Sequence, residues 1–339
     1  MARTIEKISR LMIPVALSVI LSASCVRESG YFAATGYAQG GTYTVKMNLE
    51  GVTATPKEIS LKIDSLLTLI DTTLSGYNKG SLISRFNEGE EIIPNGMFKD
   101  IFSISREIWE ETGGAVDVAA GPLFDAWGFG FSSDSLPSDE KVKALMESCG
   151  MSLLDPDIEK DIAKGFKLNY NAIAQGYSCD VVAQYLYGIG VKDMLVDIGE
   201  IYCDGLNPSG KPWSIGIDKP EDGNQQLGAQ LQGVWASSGG PCGIVTSGNY
   251  RKFYIRDGKK FAHTVDPRTG YPVSHNLLSA TIVAPNATLA DAYATYCMVI
   301  GLEESKEFIL GRNDLEGYLI FDQDGQMETW YSPGFNVIR

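Results

Sequence analysis

Strand-like and helix-like segments follow one another along these 339 residues without a regular βαβ rhythm. That irregularity constrains the fold more than any other feature, because a doubly wound parallel sheet needs strict alternation. Alternating residues at 40–49 suggest a first strand, and apolar residues recurring at helical spacing suggest a helix over 57–74. Further helices are expected at 101–111, 138–148 (with Ser138 as N-cap), 177–187 and 289–300. Strands are expected at 194–198, 213–217, 243–247, 252–255, 278–283, 315–321 and 327–331. The expected class is α+β, with mixed, largely antiparallel sheets flanked by helices. The length suits one large domain or two intimately packed ones, and neither repeats nor a linker divides it.

The first residues read as an export signal. Arg3, Lys7 and Arg10 precede an apolar stretch at 11–21, followed by Ser22, Ala23, Ser24 and Cys25. A cysteine directly after small residues resembles a bacterial lipobox, with Leu21 one place further back than usual. The expected organisation is a lipoprotein signal peptide at 1–24, a lipidated tether at 25–38 starting from Cys25, and one domain at 39–339. Such a chain would be anchored in the bacterial cell envelope, facing the periplasm, at the inner membrane. The other cysteines (Cys149, Cys179, Cys203, Cys242 and Cys297) contain no CxxC pair and no zinc spacing, and read as small buried free thiols.

A net charge of −14 argues against nucleic acid as a partner. It also means that any phosphate-bearing ligand must be held locally, by a metal, a helix N-terminus or a few placed donors. The common nucleotide motifs are missing. No GxGxxG follows a strand. GLNPSGK at 205–211 imitates a P-loop, but Pro212 stands where Ser or Thr must reach Mg2+ and a strand follows where a helix is required. A Gly/Pro turn explains it.

Four clusters could carry chemistry. His263 and His275 are the two histidines of the chain. His263 ends a strand before the turn at Pro267 to Gly270, with Asp266 close enough to fix an imidazole tautomer. His275 reads as structural. Asp291 and Thr295 are four apart, so carboxylate and hydroxyl share one helical face and suit a hard cation such as Mg2+. Leu168 to Asp180 supplies small residues and Gly176 ahead of a helix, letting backbone approach a ligand. Thr112 to Leu123 is a glycine-flanked acidic loop of the kind that forms turns and can also bind flat heterocycles.

Taken in order, these segments resemble the ApbE family, the FAD:protein FMN transferases, over about residues 40–299. The matching stretches are GGTYTV, SGYNKGSLISRFN, TGGAVDVAAGPLFDAWGFG, NAIAQGYSCDVVA, LVDIG, TSGNYRKF, HTVDPRTGYPV and LADAYAT. The resemblance implies an ApbE-like fold with the FAD cleft between two packed subdomains. It implies Mg2+ ligands at Asp291, Thr295 and the backbone carbonyl of Ala172. Contacts to FAD would fall at Gly40, Tyr77, Ala115, Val116, Asp117, Asn169, Gln175 and Val265, and the catalytic motif at His263 and Asp266. Gly40, Asn169, Gln175, Glu200 and Ala294 depart from the commoner family residues, which bears on ligand affinity and on the balance of transfer against hydrolysis.

The implied reaction cleaves FAD, attaches FMN through a phosphoester to a Ser or Thr hydroxyl of an acceptor flavoprotein, such as a subunit of a membrane redox complex, and releases AMP. Two alternatives share the site: a Mg2+-dependent FAD pyrophosphatase and a non-catalytic flavin-binding lipoprotein.

Overall fold

The computed structural model describes residues 30–130, 136–221, 228–249 and 264–338, and the backbone of 253–256 and 259–262. Its strands are β1 (Tyr31–Ala38), β2 (Gly41–Asn48), β3 (Met194–Asp197), β4 (Ile201–Asp204), β5 (Ser214–Asp218), β6 (Leu231–Ala236), β7 (Cys242–Gly248), β8 (Phe253–Arg256), β9 (Lys259–Ala262), β10 (Val265–Asp266), β11 (Tyr271–Pro272), β12 (Leu277–Ala284), β13 (Glu316–Gln323), β14 (Gln326–Tyr331) and β15 (Val337–Ile338). The helices are α1 (Pro56–Leu74), α2 (Leu82–Asn87), α3 (Gly96–Glu111), α4 (Gly121–Ala126), α5 (Asp139–Ser148), α6 (Ala174–Gly188), α7 (Ala287–Ile300) and α8 (Leu302–Leu310).

An eight-stranded sheet in the order β1-β2-β3-β4-β7-β12-β13-β14 organises the molecule, and every neighbouring pair in it is antiparallel. A second sheet, β15-β6-β5, covers part of one face, and Trp213, Ile217, Trp235 and Phe335 fill the space between. On the other side α1, α3 and α6 bury Ile59, Ile63, Phe98, Phe102 and Val182 against β2 and β3. α7 and α8 close over β12 and β13. The expected α+β class with antiparallel sheets is what the chain adopts.

Local chemistry sets the element ends. Thr55 and Glu58 form a reciprocal capping box around Pro56 at the start of α1. Asn95 caps α3 and Ser138 caps α5 through their side-chain oxygens. One expectation needs correction: the segment assigned as a tether at 25–38 is not one from Tyr31 onward. Residues 31–38 form β1, paired along its length with β2. Gly36 sits opposite Tyr43, whose ring covers it so closely that a Cβ would lie 2.5 Å from Cε1. Cys25 and the leader lie outside the described residues.

Two glycines bring the site together. A Cβ on Gly176 of α6 would stand 2.2 Å from the carbonyl oxygen of Ala287, and one on Gly243 of β7 would stand 2.3 Å from the Cα of Ala287. Helix, strand and the first turn of α7 therefore meet at backbone distance.

Candidate active site

α7 enters this junction with its N-terminus fully engaged. Asn286 accepts from the N–H of Leu289 at 2.8 Å. From α6, Asp180 accepts from the N–H groups of Ala287 (2.9 Å) and Thr288 (2.8 Å) and from the Thr288 hydroxyl. Burial pushes the Asp180 carboxyl up, against the opposing pull of those three bonds.

One turn along, Asp291 is buried, and its Oδ2 accepts from the N–H of Gly176 at 3.0 Å. In an uninterrupted helix that N–H would go to the carbonyl of Ala172, four residues back. Instead the carboxylate takes it. Among the described residues, no donor meets the Ala172 carbonyl or the second carboxylate oxygen of Asp291. Burial, with the charge of Asp180 adding to it, pushes the Asp291 carboxyl up to about 8 despite the Gly176 bond. Thr295 follows one turn later, its hydroxyl 3.5 Å from that of Ser247 on β7.

These residues fit a hard divalent cation. The junction offers a carboxylate oxygen, a peptide carbonyl and a hydroxyl, all oxygens, and a buried carboxyl whose ionised form is compensated by the single Gly176 bond among the described residues. No group of three His, Cys, Asp or Glu clusters as a metal shell among the described residues. A cation here would thus rest on one carboxylate, neutral protein oxygens and the oxygens of its ligand, which is how Mg2+ is commonly held beside phosphates.

The other expected contacts fall into two groups. In the first, the turn at Gly40 (φ +82°) lies against α6, because the Gln39 side chain donates to the Ser178 hydroxyl. Gln175 donates to the carbonyl of Ile198 at 3.4 Å, packed over Gly199, where a Cβ would lie 2.5 Å from its Nε2. Asn169 is buried and accepts from the N–H of Asn171 at 2.9 Å; Asn171 in turn donates to the hydroxyl of the exposed Tyr77 at 3.4 Å.

The second group lies around a cavity of about 170 Å3 lined by Trp109, Gly114, Asp117, Cys149, Pro267 and Arg268, among others. Asp117 is buried beside it, and burial raises its carboxyl although Met151 and Ala119 donate to it. Those bonds pin the loop between α3 and α4 to residue 151, so the carboxylate has a structural task there. Ala115 and Val116 are buried with it. Val265 packs against Ala120, Leu123, Trp127 and Val142. Asp266 holds Arg268 in a fork, with Nε and Nη2 each at 2.9 Å, and accepts its N–H as well. Both Asp266 oxygens are therefore engaged by Arg268. His263 lies outside the described residues. His275 bonds the carbonyl of Met298 at 2.9 Å and accepts from the N–H of Leu277, in keeping with its reading as structural.

Sequence reasoning missed two members of the junction, Asp180 and Ser247. Asp180 had a signal: it stands four residues after Gly176, on the same face of α6. Ser247 had none, since only strand pairing brings it to Thr295.

Solved flavin transferases share this antiparallel α+β fold. The flavin transferase from Vibrio cholerae matches with a TM-score of 0.76 at 31% identity, covering 90% of this chain and 98% of that one. The flavinyl transferase from Pseudomonas stutzeri, in its apo form, matches with a TM-score of 0.77 at 30% identity, covering 89% and 95%. Among curated relatives, the FAD:protein FMN transferase of Escherichia coli is 35% identical over 291 residues, 82% of this chain and 81% of that protein. The one from Haemophilus influenzae is 32% identical over 347 residues, 98% of each. The ApbE family model matches residues 40–319. The chain belongs to the ApbE family, and with it to the transferases.

Proposed function

We propose that this protein is a Mg2+-dependent FAD:protein FMN transferase that cleaves FAD and attaches FMN to a Ser or Thr hydroxyl of an acceptor flavoprotein. The observation that carries the metal part is the diverted hydrogen bond of Gly176. Among the described residues it leaves the Ala172 carbonyl and one Asp291 oxygen unpartnered, in a junction that also holds the Thr295 hydroxyl. The names of the relatives carry the substrate part.

When bound there, Mg2+ would neutralise the diphosphate and the charge growing on the departing AMP. The residues of the chain do the rest. Asp291, Thr295 and Ala172 supply oxygen ligands, and Asp180 fixes the helix that carries two of them. Gly40, Tyr77, Asn169 and Gln175 position the dinucleotide from one side, and Ala115, Val116, Asp117 and Val265 border it from the other. The acceptor hydroxyl attacks the FMN phosphorus, its proton passes to His263, and AMP departs with the bridging oxygen. Asp266 and Arg268 together shape the turn that follows His263. Positioning and electrostatics supply most of the rate in such phosphoryl transfers.

Export and lipidation at Cys25 complete the reading. Because β1 begins at Tyr31, only residues 26–30 would separate the anchor from the fold. Five residues span at most about 18 Å. The enzyme would then work close against the membrane, where subunits of membrane redox complexes present their acceptor sites.

The test is mass spectrometry of candidate acceptors after incubation with FAD and Mg2+. Added FMN on a Ser or Thr supports the reading. AMP released at the same rate with no acceptor, and no modified protein, would replace it with the pyrophosphatase.

A further inference from the structure

The eight-stranded sheet has a thin seam. Between β4 and β7 only three register pairs form, Ile201–Ile244, Tyr202–Gly243 and Cys203–Cys242. The chain leaves the sheet at Asp204 and returns at Cys242, having built β5 and β6 in between. Those three pairs join the half made of β1 to β4 to the half made of β7, β12, β13 and β14.

Two cysteines close the outer end of that seam. Cys203 and Cys242 are direct cross-strand partners, and their sulfurs lie 3.7 Å apart. Directly paired antiparallel residues have Cα atoms about 4.5–5.5 Å apart, inside the range that a disulfide spans. The sulfurs need to approach by only about 1.7 Å to reach bonding distance. Cys203 is fully buried beside Trp213 and Trp235, and Cys242 is buried too but keeps 8% of its surface exposed. The neighbouring Cys242 sulfur, and then burial, push the Cys203 thiol far above its ordinary value, so Cys203 is a poor first nucleophile.

We propose that Cys203 and Cys242 are a disulfide-forming pair, converted by a disulfide oxidant into a cross-strand bond that staples the β4–β7 seam. Cys242, deprotonated, attacks one sulfur of the oxidant's disulfide and displaces a thiolate, giving a mixed disulfide. The Cys203 sulfur then attacks the Cys242 sulfur and displaces the oxidant's second thiolate. The protein loses two protons and two electrons, and the oxidant is reduced to two thiols. A thiol–disulfide oxidoreductase or oxidised glutathione supplies that chemistry, and compartments outside the cytosol maintain it. The staple closes a span of about 40 residues that contains β5 and β6. It stands on sheet register and sulfur separation and is independent of the flavin chemistry.

The test uses the full-length chain exported in a bacterial host, with its free thiols alkylated under denaturing conditions before and after reduction, followed by peptide mapping. The expected protein is 2 Da lighter than its reduced form, with the Cys203 and Cys242 peptides linked and Cys149, Cys179 and Cys297 alkylated without reduction. Reduction should lower Tm by about 5 °C, given the loop length, and a Cys203→Ser/Cys242→Ser variant should show no such shift. A second arm refolds the reduced chain with oxidised glutathione. Both cysteines alkylated in the exported and the refolded protein, or a bond joining a different pair, would overturn the proposal.

Discussion

Asp291→Asn should make the metal-free protein more stable while abolishing its response to Mg2+. A carboxyl held at about 8 in the fold and near 3.9 in the unfolded chain keeps its proton in the native state at pH 7, while the unfolded chain releases it. The native state then binds more protons, and stability falls as pH rises between the two values. At pH 7 the loss amounts to roughly 4 kcal/mol. An asparagine is nearly isosteric, can still accept from the Gly176 N–H, and has no proton to lose. In EDTA its advantage should grow from about 1–2 kcal/mol at pH 5 to about 5 kcal/mol at pH 8. At pH 7 that is a Tm gain of about 5 °C for a chain of this length. Thermal unfolding in EDTA, and again in Mg2+ with FAD, measures both halves. Wild type should gain stability with ligands, by about 2.7 kcal/mol at a hundredfold excess over Kd, and the variant should not. A variant less stable than wild type in EDTA at pH 8, or one with the full ligand shift, would refute the assignment of Asp291 as a strained, cation-ready carboxylate.

Three other perturbations separate the parts of the site. His263→Ala should abolish FMN transfer to an acceptor while FAD binding, followed by flavin fluorescence, stays within about twofold, since a general base contributes to the chemical step at roughly 10²–10⁴-fold. Gly176→Ala drives a Cβ into the Ala287 backbone; it should destabilise the fold by about 1–3 kcal/mol in urea titration and weaken Mg2+ binding as α6 and α7 separate. Asp180→Ala removes the acceptor for three donors at the start of α7. It should lower stability by about 2 kcal/mol, raise the Mg2+ concentration needed for transfer, and leave saturated turnover largely intact if positioning is its task.

Much of this architecture is legible in the residues because the signals are local. The four-residue spacing of Asp291 and Thr295 survives as one face of α7, and the apolar spacing of 57–74 becomes α1 with its capping box. The P-loop imitation at 205–211 is a turn: Asn207 accepts from the N–H groups of Ser209 and Lys211, and Leu206 bridges to Pro212 ahead of β5. What escapes is whatever a distant partner decides. β1 contains Gly36 and three alanines, a composition that reads as a tether until the Tyr43 ring covers the glycine from the next strand. β4 is four residues long and carries too short a pattern to register. The cap on α7 comes from Asp180, 107 positions earlier, and no periodicity reaches that far.

The acidic composition of the chain leaves three ways to hold a diphosphate: a helix N-terminus, placed donors or a cation. At the start of α7 the first is closed. The leading N–H groups of α7, on Ala287, Thr288 and Leu289, are taken by Asp180 and Asn286, and in α6 the N–H of Gly176 is taken by Asp291. The first turn of α7 therefore serves side chains of the protein and, among the described residues, keeps no free leading donor for a ligand. What the junction does leave open, among the described residues, is acceptors: the Ala172 carbonyl and one Asp291 oxygen, with the Thr295 hydroxyl beside Ser247. Acceptors repel phosphate unless a positive charge stands between them. The same hydrogen bonds that withdraw the donors thus favour a bridging cation, which is why the metal-linked reading and the stability gain expected for Asp291→Asn stand or fall together.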